Sequence, residues 1–213
     1  MGKVAIVDSG CANLSSIHKA LLRAGITAFV TSEAKAITGA AGVVFPGVGS
    51  FEHAAALLKQ KGLDEALLQC AAAGKPFLGI CLGLQLLFSC SEEQSSATNR
   101  LPSGLNVIPG KVIRFSHGLP VPHVGWNRAV PRYRHPLFEG LPDGAYFYFT
   151  HSYFVQPENP GHILALAEYG HPFTAAAARQ NLMGVQFHPE KSGPAGLRLL
   201  SNFGKIIADP DLL

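Results

Sequence analysis

The sequence is poor in charge and in cysteine, and each scarcity removes a class of function. Only 15% of the 213 residues are charged, and the net charge is +3. The basic residues are scattered (Lys3, Lys59, Arg100, Arg128, Lys191) and make no run that would follow a phosphate backbone, so no nucleic-acid partner is expected. Four cysteines (Cys11, Cys70, Cys81, Cys90) contain no C-x-x-C pair, which argues against a disulfide framework and a zinc ribbon alike. No apolar run reaches membrane-spanning length, and Met1-Gly2-Lys3 leads into Val4-Ala5-Ile6-Val7 without a signal-peptide core. Myristoylation at Gly2 is not expected either, since Ile6 stands where that motif wants Ser or Thr. The expectation is a cytoplasmic protein with no membrane contact. With 47% hydrophobic residues, the chain has ample material for a buried core, and its length suits one domain spanning 1–213.

What is present reads as an α/β fold. Short β-branched or aromatic runs at Val4 to Asp8, Ile26 to Thr31, Val43 to Phe45 and Pro76 to Ile80 alternate with helical patterns. Those patterns carry Leu14, Ile17 and Leu21, then run from Phe51 to Lys61 and from Leu63 to Ala73. Such alternation predicts a mostly parallel sheet flanked by helices, and strands that are apolar throughout predict burial on both faces. Beyond the polar stretch Gln94 to Arg100 the texture changes. Pro102, Pro109, Pro120 and Pro122 break the chain, and strand-like segments follow at Lys111 to Phe115, Gly144 to Phe149, Ile163 to Glu168, Thr174 to Arg179 and Met183 to Phe187. This half predicts an additional antiparallel region. A closing helix from Pro194 to Ile207 places Leu197, Leu200, Gly204 and Ile207 on one face.

Three blocks carry candidate chemistry. Gly79-Ile80-Cys81-Leu82-Gly83 sits between a buried strand and a helical run expected from Leu82 to Ser91, in the form of a nucleophile elbow with Cys in place of Ser. Glycines two residues either side relieve a sharp turn, and a following helix N-terminus favours thiolate. The competing reading is a buried small hydrophobe, the common fate of a free cysteine. A base and its orienter are offered by Val185-Gln186-Phe187-His188-Pro189-Glu190, where His188 and Glu190, two apart on an extended segment, share a side. The same H-x-E spacing serves zinc deaminases, but no cysteine follows Cys90, so no metal is expected. The third block, Phe45-Pro46-Gly47-Val48-Gly49, is either an ordinary tight turn or a source of backbone N–H groups at Val48 and Gly49 for an oxyanion, alongside the N–H of Leu82.

Taken together and in this order, the blocks resemble the three signatures of class I (triad-type) glutamine amidotransferases. Within that class the chain is similar to the glutaminase subunits of imidazole glycerol phosphate synthase. Supporting segments are Gly10-Cys11-Ala12-Asn13-Leu14, Pro122-His123-Val124-Gly125-Trp126-Asn127, Tyr146 to Tyr153 and Glu190-Lys191-Ser192-Gly193; where many members read Asp-Tyr-Gly, this chain has Asp8-Ser9-Gly10. The resemblance implies a glutaminase that uses Cys81, His188 and Glu190 without a cofactor, and glutamine bound by Gln85, Glu93, Tyr148, His151 and Ser152. It also implies that ammonia passes to a barrel-shaped cyclase subunit facing Asn13, Trp126 and Lys191. Glu92 competes with Glu93 as an ordinary solvated carboxylate, and Trp126 on composition alone reads as a core residue rather than an interface anchor; only the flanking His123-x-Gly125-Trp126-Asn127 block turns it towards the interface. Rival readings are an amidotransferase feeding another acceptor, a silent binding subunit, and a cysteine hydrolase or redox-sensing thiol protein on a related sheet. A further expectation is that the Gly47-Val48-Gly49 loop presents a carbonyl rather than an N–H until a partner binds.

Overall fold

The computed structural model describes residues 2–93, 100–116 and 118–213; most of the polar stretch from Gln94 to Arg100 therefore lies outside the described residues. Four parallel strands open the chain: β1 (Val4–Val7), β2 (Ala28–Thr31), β3 (Gly42–Gly47) and β4 (Phe77–Cys81). Between and after them run α1 (Leu14–Arg23), α2 (Ala34–Gly39), α3 (Phe51–Gln60), α4 (Leu63–Ala72) and the single turn α5 (Leu82–Gln85). The strands β5 (Phe88–Ser91), β6 (Ile108–Arg114), β7 (His123–Pro131), β8 (Ala145–His151), β9 (Tyr153–Pro157), β10 (Ile163–Tyr169), β11 (His171–Arg179) and β12 (Leu182–Val185) follow, and α6 (Gly193–Ala208) comes after them.

The backbone of the sheet runs β2-β1-β3-β4-β12-β11-β10-β7-β8. Its first five strands are parallel, because β12 returns to lie beside β4 in the same direction. From β11 to β8 each pairing is antiparallel. A branch of β5, β6 and β9 joins at β11, with β5 and β6 parallel to each other.

Apolar strands follow from two covered faces. Successive residues of a strand point to opposite sides, so Val4 and Ile6 enter a core built with Ile17 and Leu21 of α1 and Leu199, Leu200 and Phe203 of α6. Ala5 and Val7 enter the opposite core with Ile37 of α2, Phe51 and Leu58 of α3, and Leu63 and Leu67 of α4. Tertiary burial decides which short elements survive. The six residues of α2 have no side-chain cap and are too few to be helical alone, yet Ile37 is fully buried, which contributes roughly 1.5–3 kcal/mol.

The structure corrects the expected helix from Leu82 to Ser91. It stops after one turn, the Leu87 N–H tightening onto the Leu84 carbonyl, and Phe88–Ser91 pairs as a strand with β6. Phe88 is fully buried there, and the Ser-Cys-Ser that follows has weak helix propensity, so sheet pairing prevails. The strands β7 and β9 and the helix α2 also escape the sequence pattern. In β7 the inward positions are His123, Gly125, Asn127 and Ala129, which do not read as an apolar alternation. The closing helix forms as expected, with its buried stripe centred on Leu199, Leu200, Phe203 and Ile206 and with Leu197 only half-buried.

Candidate active site

Three neighbouring parallel strands end together, and their ends build the site. Gly47 at the end of β3 lies opposite Cys81, and Val185 at the end of β12 lies opposite Ile80. The loop Val48-Gly49 and the segment from Gln186 to His188 therefore leave the sheet on either side of Cys81. Ligands of α/β sheets bind at these carboxyl ends.

Cys81 has φ +55° and ψ −111°, a conformation that costs an L-residue about 1–3 kcal/mol and is typical of strained functional turns. The elbow requires its two glycines. A Cβ on Gly83 would stand 1.8 Å from the Phe45 carbonyl oxygen, and one on Gly79 would stand 2.8 Å from the Gly83 oxygen. Because α5 is one turn long, its dipole gives the sulfur little support. Support comes from Gln186, fully buried, whose Nε2 donates to Cys81 Sγ at 3.6 Å. Gln186 Oε1 in turn accepts from Gln85 Nε2 at 3.1 Å.

His188 and Glu190 meet as expected, Nδ1 to Oε1 at 2.8 Å, both nearly enclosed. The geometry differs from two residues on one extended strand: His188 is extended, and Glu190 follows on the 3-10 turn Pro189–Lys191. Burial opposes a charged ring at His188, but the adjacent Cys81 sulfur and Glu190 carboxylate outweigh it and raise the imidazole to about 10. Its Nε2 is buried without a well-formed hydrogen bond of its own. The turn is stitched to β8 by the His188 N–H donating to the Tyr148 carbonyl at 2.9 Å. Ser192 completes the tie, its Oγ accepting from the Tyr148 N–H at 3.0 Å and donating to the His188 carbonyl at 2.6 Å.

A cavity of about 280 Å³ opens over Cys81, lined by Val48, Gly49, Leu82, Gln85, Glu93, Pro122, Thr150, His151, Ser152, Tyr153 and His188. Its size falls at the small end of ligand sites. It thus gathers most of the residues singled out in the sequence. Glu93 turns one carboxylate oxygen to the N–H of Phe51 at 2.8 Å, at the start of α3, while Glu92 accepts from the Arg114 N–H at 3.3 Å. Tyr148 does not line the cavity. Its ring stands edge-on to Trp126 at 6.2 Å, with Lys191 Nζ 5.7 Å from its centroid, and it serves the site through its backbone.

Among the expected oxyanion donors, the Val48 N–H is engaged with the Cys11 carbonyl at 2.7 Å. Leu82, as the first helical residue, has no intrahelical partner for its N–H. Trp126 is 57% exposed and so is not a core residue; it borders an open concavity of about 840 Å³ that shares no lining residue with the cavity over Cys81. Asn13 caps α1, accepting from the Ser16 N–H at 3.4 Å, and α1 packs against the Pro189–Lys191 turn. Among the described residues no cluster of metal-ligating side chains occurs. Sequence reading missed Gln186 and Ser192 as parts of the site. The signal was a fully polar side chain inside an apolar strand end, at Gln186.

A family model described as glutamine amidotransferase class-I matches residues 5–207. The imidazole glycerol phosphate synthase subunit HisH of Symbiobacterium thermophilum is 46% identical over 209 residues, covering 98% of this chain and 96% of the relative. The subunit of the same name from Moorella thermoacetica is 48% identical over 209 residues, covering 97% and 96%. Among solved structures, a glutamine amidotransferase superposes with a TM-score of 0.74 at 19% identity over 96% of this chain and 98% of its own. A putative GMP synthase protein from Thermoplasma acidophilum gives 0.74 at 18% identity, covering 99% and 96%. Those two likenesses establish the shared fold.

Proposed function

The chain belongs to the class-I glutamine amidotransferase family, with the HisH subunits as its relatives, and from that membership we propose how its site works. It is the glutaminase subunit of an imidazole glycerol phosphate synthase. The Cys81 thiolate attacks the side-chain carboxamide carbon of glutamine. The resulting oxyanion is received by the Leu82 N–H and by the backbone of Val48-Gly49, and His188 protonates the departing nitrogen as the C–N bond breaks. Ammonia leaves, and a glutamyl thioester remains. Water then attacks that thioester, His188 takes its proton, and glutamate departs with the thiolate restored. Glu190 keeps the imidazole in the orientation both steps need. The observation that carries this reading is the convergence of Cys81 and the His188–Glu190 pair on one cavity at the ends of β3, β4 and β12.

Gln85, Glu93 and the Thr150–Tyr153 corner hold the head group of glutamine in that cavity. Ammonia passes to a cyclase subunit in a cytoplasmic heterodimer, where it enters imidazole glycerol phosphate, with aminoimidazole carboxamide ribotide released. Asn13, Trp126 and Lys191 face that partner. The Val48 N–H bond to the Cys11 carbonyl supports a resting site that lacks one oxyanion donor, which the partner restores by displacing that bond. The test is glutamine turnover measured with and without the matched cyclase. Turnover that rises on complex formation supports the reading. The absence of a complex defeats the assignment of the partner, and rapid turnover by the chain alone defeats the gating.

A further inference from the structure

His151 lines the cavity, yet both of its ring nitrogens are committed to the protein. Nδ1 lies 2.8 Å from the Tyr153 carbonyl oxygen, which only accepts, so Nδ1 carries the proton. Burial holds His151 neutral, near 3, so Nε2 is an acceptor, and Nδ1 of His123 donates to it at 3.1 Å. His123 is likewise held near 4 by burial. Its Nε2 therefore accepts, and Asn127 Nδ2 lies 3.3 Å away. Asn127 is itself fixed, its Nδ2 donating to the Glu168 carbonyl at 2.7 Å and its Oδ1 accepting from the Arg128 N–H at 2.8 Å. Each atom in this series has one consistent assignment.

The surroundings keep the rings in place. His123 stacks on Tyr169 at 4.2 Å and contacts Phe115, Phe149 and Phe173. His171 packs against Phe115, and His188 acts on His151 electrostatically. At the cavity end, the Tyr153 carbonyl also accepts from Gln85 Nε2 at 3.0 Å.

We propose that His123 and Asn127 are positioning residues for glutamine: the series Asn127–His123–His151 locks the corner between β8 and β9, Thr150 to Tyr153, that forms one wall of the substrate cavity. This rests on the reading of that cavity as the glutamine site. With both nitrogens spent, the His151 ring offers no polar atom to the substrate, and its part is to hold the wall. Loss of the lock weakens ground-state and transition-state binding alike, so it raises KM more than it lowers kcat. The nucleophile keeps its own support, because Gln85 has a second anchor on Gln186.

The test uses the full chain with its cyclase partner. His123→Asn keeps an amide donor where Nδ1 sits, and His123→Leu removes it. The expected result for His123→Leu is a KM for glutamine raised about tenfold, the loss of one buried hydrogen bond, with kcat nearly unchanged. His123→Asn restores most of that loss. In the wild type, long-range proton–nitrogen NMR should find both rings in the Nδ1–H form and neither titrating between about pH 5 and 8. Equal damage from the two substitutions, a loss confined to kcat, an Nε2–H form of His151, or a ring that titrates in that range overturns the proposal. A wild type that shows these tautomers but turns over no glutamine sinks the substrate reading, and the positioning role with it.

Discussion

At the scale of single residues, the proposed catalysis turns on which atoms touch Cys81. Its sulfur has the Gln186 amide at 3.6 Å and the His188 ring beside it, and His188 is held by Glu190 at 2.8 Å. Cys81→Ala is expected to lower cyclase-stimulated glutamine turnover by at least about 10⁴-fold with the melting temperature unchanged, as for other nucleophiles removed from a triad. Glu190→Gln removes the charge that orients His188 and should cost about 10²–10⁴-fold in kcat, measured by steady-state kinetics. A fully active Glu190→Gln enzyme would remove Glu190 from the mechanism. The turn at Cys81 and the pairing of His188 with Glu190 were legible in the sequence because glycine placement and local spacing mark them. Gln186 and Ser192 were not, since their partners, Cys81 and Tyr148, lie far back along the chain.

At the scale of elements, the elbow shows how backbone contact dictates sequence. Gly83→Ala would drive a methyl into the Phe45 carbonyl, backbone against backbone, and should destabilise the fold by about 3 kcal/mol or more in a denaturant titration. A Gly83→Ala chain as stable as the wild type would mean that β3 and α5 are not held this close. The 3-10 turn Pro136–Phe138 makes a pH-dependent case. His135 Nδ1 accepts from the Leu137 N–H at 3.1 Å, and burial lowers the ring from 6.5 to about 4. The folded ring stays neutral where the unfolded one is already protonated. The stability linked to it is therefore complete above pH 6.5 and is lost as pH falls towards 4. His123 and His151 act in the same sense. His135→Asn keeps a capping acceptor without the titration, so its melting temperature should fall less steeply than the wild type's over that range. An unchanged slope would contradict the assignment. The elements that sequence pattern reads poorly share one cause: β5, β7 and α2 exist because of what packs on them, and their own residues signal weakly.

At the scale of the whole molecule, the parallel half was legible because strands covered on both faces become uniformly apolar, as β1, β3 and β4 are. What no local pattern could give was the return of β12 beside β4, which brings His188 to Cys81 from 107 positions away in the chain, the difference between the two residue numbers. The outer face of β7 and β8 exposes Val124, Trp126 and Tyr146 together. Trp126→Ala should weaken association with the cyclase, read by calorimetry, by roughly 1–2 kcal/mol or more if it is an anchor, without altering stability. Unaltered affinity would move the docking face elsewhere. Central to the proposed mechanism is the assignment of Cys81, alone among the four free cysteines, as the glutamine nucleophile. That is tested most directly by treating the assembled enzyme with an electrophilic diazoketone analogue of glutamine and mapping the adduct by mass spectrometry. One adduct is predicted, on Cys81, suppressed by excess glutamine and absent from Cys81→Ser; labelling of Cys11, Cys70 or Cys90, or labelling that glutamine does not suppress, would contradict it.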